Sequence, residues 1–246
     1  MSPKGSASKN LQRSTSNRST YLLGALAVLV IAAVVIGGVI WQSNRSVTRN
    51  EGYGSVQNPN VAAQLQPDGA VLVGLPDVPK TIDFFEDPLC PFCAQVEERF
   101  GQELAQAIDE GRLAVRFHLL NFLDSLSASG DYSTRATAAT QCVAATGSGV
   151  AYSTFRATVI SPDNQPEERG SSDLSNEDLA TMARNSGADD TAVACIRDGQ
   201  KVQSAARDAD AARQRMMAVG GRGTPTVFDG GTEIDINDSN WVANLQ

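Results

Sequence analysis

The chain has 246 residues, 41% hydrophobic and 20% charged, a balance that excludes a disordered or collagen-like polymer and bounds the fold to one or two domains. The net charge of -8 averages two regions: residues 1–50 hold six basic residues and no acid, so 14 basic residues face all 28 acidic ones beyond them and residues 51–246 carry -14. A domain that acidic repels phosphate backbones, which argues against nucleic acid as a partner.

In chain order, residues 1–20 are Ser-rich and basic and read as a cytoplasmic tail. Tyr21 to Trp41 follows, 21 residues without a charge, long enough as a helix to span about 30 Å of hydrocarbon. A cleaved signal peptide would have an apolar core of only ~7 to 15 residues, and a buried core helix would show a polar face, so a retained transmembrane anchor is expected over 21–41. Lys4, Lys9, Arg13 and Arg18 before the span, against Arg45 and Arg49 after it, predict a cytoplasmic N-terminus and an extracytoplasmic remainder. Residues 42–60 are polar and read as a linker, followed by a folded domain over 61–246.

Val71-Leu72-Val73 and Thr81-Ile82-Asp83-Phe84-Phe85 are apolar runs bounded by turn residues and predict strands. Cys93, Val96, Phe100, Leu104 and Ile108 recur at helical spacing, with Gly101 a candidate break into two helices. Leu113 to Leu120 predicts the next strand, so strand, helix and strand form a parallel crossover. Between about 130 and 219 the composition turns to Ala, Asp and Arg, and helices are predicted over Ser133–Thr146, Ala151–Val159, Asn176–Asn185, Asp189–Arg197 and Lys201–Val219. Thr226-Val227-Phe228, Gly230-Gly231 and Thr232 to Ile236 predict a hairpin, with Asp238 capping a short helix around Trp241. The αβ segments thus flank a helical insertion.

Four cysteines in an exported chain can form disulfides in three pairings. The two-residue gap of Cys90-Pro91-Phe92-Cys93 suggests a local pair, which leaves Cys142 with Cys195. Cys90 falls at the end of a strand and the start of a helix, with Pro91 suited to the first helical position. There the helix dipole and unsatisfied N–H groups stabilise a thiolate, so Cys90 is the expected nucleophile and the shielded Cys93 its resolving partner. A disulfide over so short a loop removes little chain entropy, so a mere staple is the weaker reading. Cys142 and Cys195, 53 residues apart, read as a structural disulfide, with a second redox relay as the alternative. No metal site is expected, because a zinc site would lack a second closely spaced pair. His118, the only histidine, reads as strand-end packing.

Phe84-Phe85-Glu86-Asp87-Pro88-Leu89-Cys90-Pro91-Phe92-Cys93 resembles the active-site segment of the DsbA-like thioredoxin-fold proteins, and Gly223-Thr224-Pro225-Thr226-Val227 resembles their cis-proline loop, 131 residues further on. The resemblance covers about residues 61–246. It implies an α/β thioredoxin-like fold with an inserted helical domain, Pro225 held cis beside the cysteines, and Thr224 pairing its backbone with a bound substrate chain. Phe84 stands where several thioredoxin-fold enzymes carry a buried acid, and Asp83 on the strand points to the other face, so no proton acceptor is assigned. Phe92 stands where the strongest oxidants have histidine, which implies a milder oxidant and a side chain available to contact substrate.

The expected function is that of a membrane-anchored oxidoreductase donating the Cys90–Cys93 disulfide to exported polypeptides, without a bound cofactor. The resemblance implies a quinone-linked membrane reoxidant of the DsbB or vitamin K epoxide reductase-like type. An extracytoplasmic reductase or isomerase is the alternative, and a non-enzymatic peptide-binding module the other.

Overall fold

The computed structural model describes residues 47–245. The expected tail, the anchor over 21–41 and the first part of the linker lie outside the described residues, and among those described no helix is long and apolar enough to cross a membrane.

Strands β1 (Ala62–Leu65), β2 (Val71–Gly74), β3 (Thr81–Glu86), β4 (Ala114–Leu119), β5 (Thr226–Asp229) and β6 (Thr232–Glu233) form one sheet in the order β1-β2-β4-β3-β5-β6. The expected crossover is present: β3 and β4 pair in parallel, Ile82 opposite Val115 and Phe84 opposite Phe117, while every other pairing is antiparallel. The connection is helix α1 (Pro91–Asp109), which buries Phe100, Leu104 and Ile108 in the core. It is a single helix, which corrects the expected break at Gly101. A β-carbon at position 101 would collide with the carboxylate of Glu97, so the glycine makes room for a folded-back side chain and leaves the helix continuous.

The insertion comprises α2 (Tyr132–Ala144), α3 (Gly149–Ile160), α4 (Asn176–Asn185), α5 (Asp190–Arg197) and α6 (Val202–Ala218). Their starts follow local chemistry: Ser148 and Asp189 accept N–H bonds at the N-caps of α3 and α5, and Ser175 with Asp178 forms a capping box on α4. Cys142 on α2 and Cys195 on α5 are joined by a disulfide with Cα atoms 5.9 Å apart, the predicted pairing. The hairpin turns at Gly230 and Gly231, both with positive φ, but β6 ends at Glu233 rather than Ile236. The short helix expected around Trp241 is a run of turns and a 3-10 helix (Ala243–Leu245), and Trp241 is buried edge-on to Phe100.

The reading of 42–60 as a free linker is corrected for its described part, because the folded unit begins at Thr48. Asp109, at the end of α1, accepts from the Tyr53 hydroxyl (2.7 Å) and from the N–H groups of Gln57 (2.8 Å) and Asn58 (3.0 Å). Arg49 pairs with Glu103 at 3.1 Å, and Val56 is buried. Polar composition conceals this ordering, since its bonds reach groups about fifty residues away. Strand β1 was likewise absent from the sequence reading.

Candidate active site

The strand β3 delivers the chain to the site through Asp87-Pro88-Leu89, and Cys90 follows as the extended N-cap of α1 with Pro91 in the first turn. The Cys90 N–H donates to the Asp87 carbonyl (2.9 Å), and the Cys90 carbonyl accepts from the N–H groups of Cys93 (3.0 Å) and Ala94 (3.2 Å). Both thiols are free and buried. Across 134 residues the Cys90 thiol donates to the Thr224 carbonyl at 3.4 Å, and the Thr224-Pro225 peptide bond is cis. Thus the cysteine segment and the proline loop, distant in sequence, meet as expected. Phe92, beside them in the first turn of α1, is 65% exposed.

The two thiols differ electrostatically. A hydrogen bond from the Cys93 thiol lowers Cys90 to about 6, burial opposes this, and the Thr224 hydroxyl and the N–H groups of Cys93 and Phe92 add to the lowering. The Thr224 hydroxyl has no other partner. Burial pushes Cys93 well above the ordinary thiol range, and its bond to Cys90 and the nearby Glu86 push the same way. At neutral pH one sulfur is therefore a thiolate and the other a thiol, the division that thiol-disulfide exchange requires.

Beneath the sulfurs lie charged groups that the sequence reading did not single out. Glu86 ends β3 fully buried and is gripped by the Arg156 guanidinium of α3, whose Nε donates at 2.6 Å and whose Nη2 contacts Glu86 Oε2. Arg156 also bonds Glu97 at 2.7 Å and lies 4.1 Å from the centre of the Phe117 ring. Burial alone would lower its pKa, but the carboxylates on either side raise it above an ordinary arginine. A detectable signal was present: Arg156 falls one turn after Tyr152, within the apolar stripe of α3 that Val159 continues, where a surface charge does not belong. Asp87, also fully buried, bonds the Leu89 N–H, the Leu123 N–H and the Ser133 hydroxyl, tying the loop to the insertion.

His118 is buried on β4, stacked on Phe85 with centroids 4.4 Å apart, and its Nε2 lies 2.7 Å from Asp83 Oδ1. Asp83 also accepts from Arg116 at 3.0 Å, a charged cluster apart from the thiols. A cavity of about 450 Å³ between α1 and α3 is floored by Glu97 and Arg156 and walled by Ser55 and Thr154; neither thiol lines it. Among the described residues no group of three His, Cys, Asp or Glu could hold a metal ion.

The family model described as Thioredoxin matches residues 66–246. The serine/threonine-protein kinase PknE of Mycobacterium tuberculosis is 38% identical over 175 residues, which is 71% of this chain and 31% of that protein. The chain therefore spans about a third of that relative's length. Among solved structures, the thiol-disulfide oxidoreductase MdbA from Corynebacterium diphtheriae superposes with a TM-score of 0.67 at 27% identity, covering 80% of this chain and 98% of that one. DsbA from Mycobacterium tuberculosis superposes with a TM-score of 0.56 at 31% identity, over 72% and 85% of the respective chains. With the helix-capping cysteine, the buried second thiol and the cis-proline loop in one place, this chain belongs to the DsbA-like, thioredoxin-fold family of thiol-disulfide oxidoreductases.

Proposed function

We propose that the protein is a membrane-anchored, extracytoplasmic oxidase that introduces disulfide bonds into exported polypeptides, with Cys90 as the attacked and attacking sulfur and Cys93 as its resolving partner. The observation that carries this reading is Cys90 as the extended N-cap of α1, its sulfur 3.4 Å from the Thr224 carbonyl of the cis-proline loop and Cys93 buried behind it, a setting that lowers Cys90 to about 6 and raises Cys93. A substrate thiolate attacks Cys90 of the Cys90–Cys93 disulfide, and Cys93 leaves and takes a proton. The second substrate thiolate attacks the substrate sulfur of the mixed disulfide and expels Cys90 as a thiolate. The substrate leaves oxidised by two electrons and the enzyme reduced by two.

Thr224 and Pro225 would position the substrate backbone, and the exposed Phe92 would supply an apolar contact beside the sulfur. Cys142–Cys195 braces the insertion. The apolar run over 21–41 supports anchoring, and a quinone-linked membrane protein of the DsbB or vitamin K epoxide reductase-like type would reoxidise the pair. A stabilised thiolate stabilises the reduced enzyme, which favours oxidation of substrate; the expected reduction potential is about -220 to -120 mV.

The test combines trapping with equilibrium. Cys93→Ser should accumulate mixed disulfides with exported proteins, Cys90→Ser should abolish turnover, and glutathione equilibration should place the potential in that range. A potential near or below the roughly -270 mV of thioredoxin, with insulin reduced faster than substrate thiols are oxidised, would replace the oxidase reading with a reductase. External protease on intact cells should digest the domain and spare the N-terminal tail.

A further inference from the structure

The segment that carries the chain from β3 into α1 is short of hydrogen-bond donors. Pro88 and Pro91 have no N–H, and the N–H groups of Leu89 and Cys90 both turn back to Asp87, to its Oδ1 (2.9 Å) and its carbonyl (2.9 Å). The carbonyls of the segment need donors from elsewhere, and the burial of Pro88 and Cys90 makes an empty acceptor there costly. Gln165 serves two of them. Its Nε2 donates to the Pro88 carbonyl (2.9 Å) and to the Cys90 carbonyl (3.1 Å), across 77 and 75 positions. A side-chain amide has two N–H groups, so both are spent on this segment.

Gln165 is itself held in place. It lies just beyond α3 in a turn framed by Pro162 and Pro166, and its N–H donates at 2.9 Å to the carbonyl of Ser161, the residue that ends the helix. Asn164 fastens the turn from within, its Nδ2 donating to the Thr158 carbonyl (3.1 Å) and to the Ser161 hydroxyl (2.9 Å). Pro166 disfavours helical backbone at Gln165, so the chain leaves the helix direction there. The last residue of α3, Ile160, is fully buried in one apolar cluster with Cys90 and Cys93. The end of α3 thus meets the thiol pair twice, with an apolar side chain against the cysteines and with an amide on the main chain that carries Cys90. Since the Cys90 carbonyl also accepts from Cys93 and Ala94 at the start of α1, Gln165 ties that fixed helix end to Pro88 ahead of it.

We propose that Gln165 is a positioning residue for thiol-disulfide exchange: by holding the Pro88 and Cys90 carbonyls together it keeps the Cys90 sulfur aligned with Cys93, and so sets the rate at which a mixed disulfide on Cys90 is resolved. The inference rests on the reading of Cys90 as the attacked and attacking sulfur and Cys93 as its resolving partner. In the step concerned the Cys93 thiol gives up its proton and its sulfur attacks Cys90. The Cys90–Cys93 bond forms as the bond from Cys90 to the outside sulfur breaks, and that sulfur leaves with the electron pair and takes a proton. Three sulfurs must line up for this, so the step is sensitive to where the Cys90 main chain stands. The first attack of Cys90 on an outside disulfide does not involve Cys93 and lacks that sensitivity. Gln165 acts in this scheme through the main chain and not on the reacting atoms.

The two steps can be timed separately. Reduced full-length chain in detergent is mixed with oxidised glutathione at pH 7 and rapidly quenched at intervals. Alkylation and mass spectrometry then sort it into dithiol, glutathione mixed disulfide and Cys90–Cys93 disulfide. Gln165→Met keeps the side-chain length and loses both N–H groups; it should form the mixed disulfide within about two-fold of the wild-type rate and close it about ten-fold more slowly, so that the mixed disulfide accumulates. Gln165→Glu fills the same space but sets an acceptor against two carbonyl oxygens, and it should close more slowly still. Closure by Gln165→Met at the wild-type rate, slowing of both steps to the same degree, or wild-type closure by Gln165→Glu overturns the proposal. If Gln165→Met does not fold, the two rates of Gln165→Glu decide in the same way. Failure of the underlying reading is distinguishable, because a Cys93→Ser chain would then take up no glutathione on Cys90, whatever Gln165 does.

Discussion

Replacing Cys93 with alanine in the reduced enzyme isolates the contact that does most to make Cys90 acidic. Cys90 titrates at about 6, and the hydrogen bond from the Cys93 thiol is the largest cause. A hydrogen bond to a charged acceptor contributes about 1.5–3 kcal/mol, and one pKa unit corresponds to about 1.4 kcal/mol, so Cys93→Ala should raise Cys90 by about 1 to 2 units. At pH 7 the thiolate fraction then falls from about nine-tenths to between about one-half and one-tenth. The variant has a single free thiol, so its absorbance at 240 nm and its iodoacetamide alkylation rate report one group across pH 4 to 10. Wild-type alkylation should rise through about pH 6 and level off, while the variant's rise is displaced upward. A variant still titrating near 6 would refute the assignment and transfer the effect to the Phe92 and Cys93 N–H groups and the Thr224 hydroxyl.

Replacing both Cys142 and Cys195 with alanine opens a closure of 53 residues, which by loop entropy should cost about 4 kcal/mol and lower Tm by about 8–16 °C in calorimetry, with Cys90 titration unchanged. Arg156→Met leaves Glu86 and Glu97 without their shared cation and should cost about 3–5 kcal/mol in urea denaturation; adding Glu86→Gln should recover part of it. The reduced enzyme should gain about 1 kcal/mol of stability as pH rises from about 7 to 8.5, because unfolded Cys90 still binds a proton there and folded Cys90 does not. That contribution is lost as pH falls through about 6, and above about 8.5 the raised Cys93 opposes it. The oxidised enzyme, titrated in parallel, should lack it.

What could be read in advance was whatever local chemistry determines. Pro91 marked the start of α1 and so the setting of Cys90, and helical spacing placed α4 at Asn176–Asn185. Spacing alone indicated the Cys142–Cys195 pairing. What escaped depends on partners remote in sequence. Arg156 stands out of place in the apolar stripe of α3, yet nothing local names its partner, Glu86, which arrives from 70 positions earlier. Asp87 was quoted only as part of the cysteine segment, because its donors, Leu123 and Ser133, arrive from beyond β4. Strand β1, Ala-Ala-Gln-Leu, has no β-branched residue and exists as an edge through pairing with β2. Gly101 misled because a mid-helix glycine is ordinarily a flaw, whereas this one vacates space for Glu97.

The docking of residues 49–58 along α1 also has a mechanical meaning. A pull reaching the domain from its N-terminal side first loads the Arg49 N–H bond to the Arg99 carbonyl and the Arg49–Glu103 pair, then the three donors clustered on Asp109. Only after those give way would tension reach Ala62, where β1 could be peeled from β2 and the sheet edge laid bare. The segment works as strain relief, in the way a clamp protects the solder joint of a cable. Load carried along the chain would fall on the rear half of α1, at the opposite end of that helix from Cys90 and its contact with Thr224.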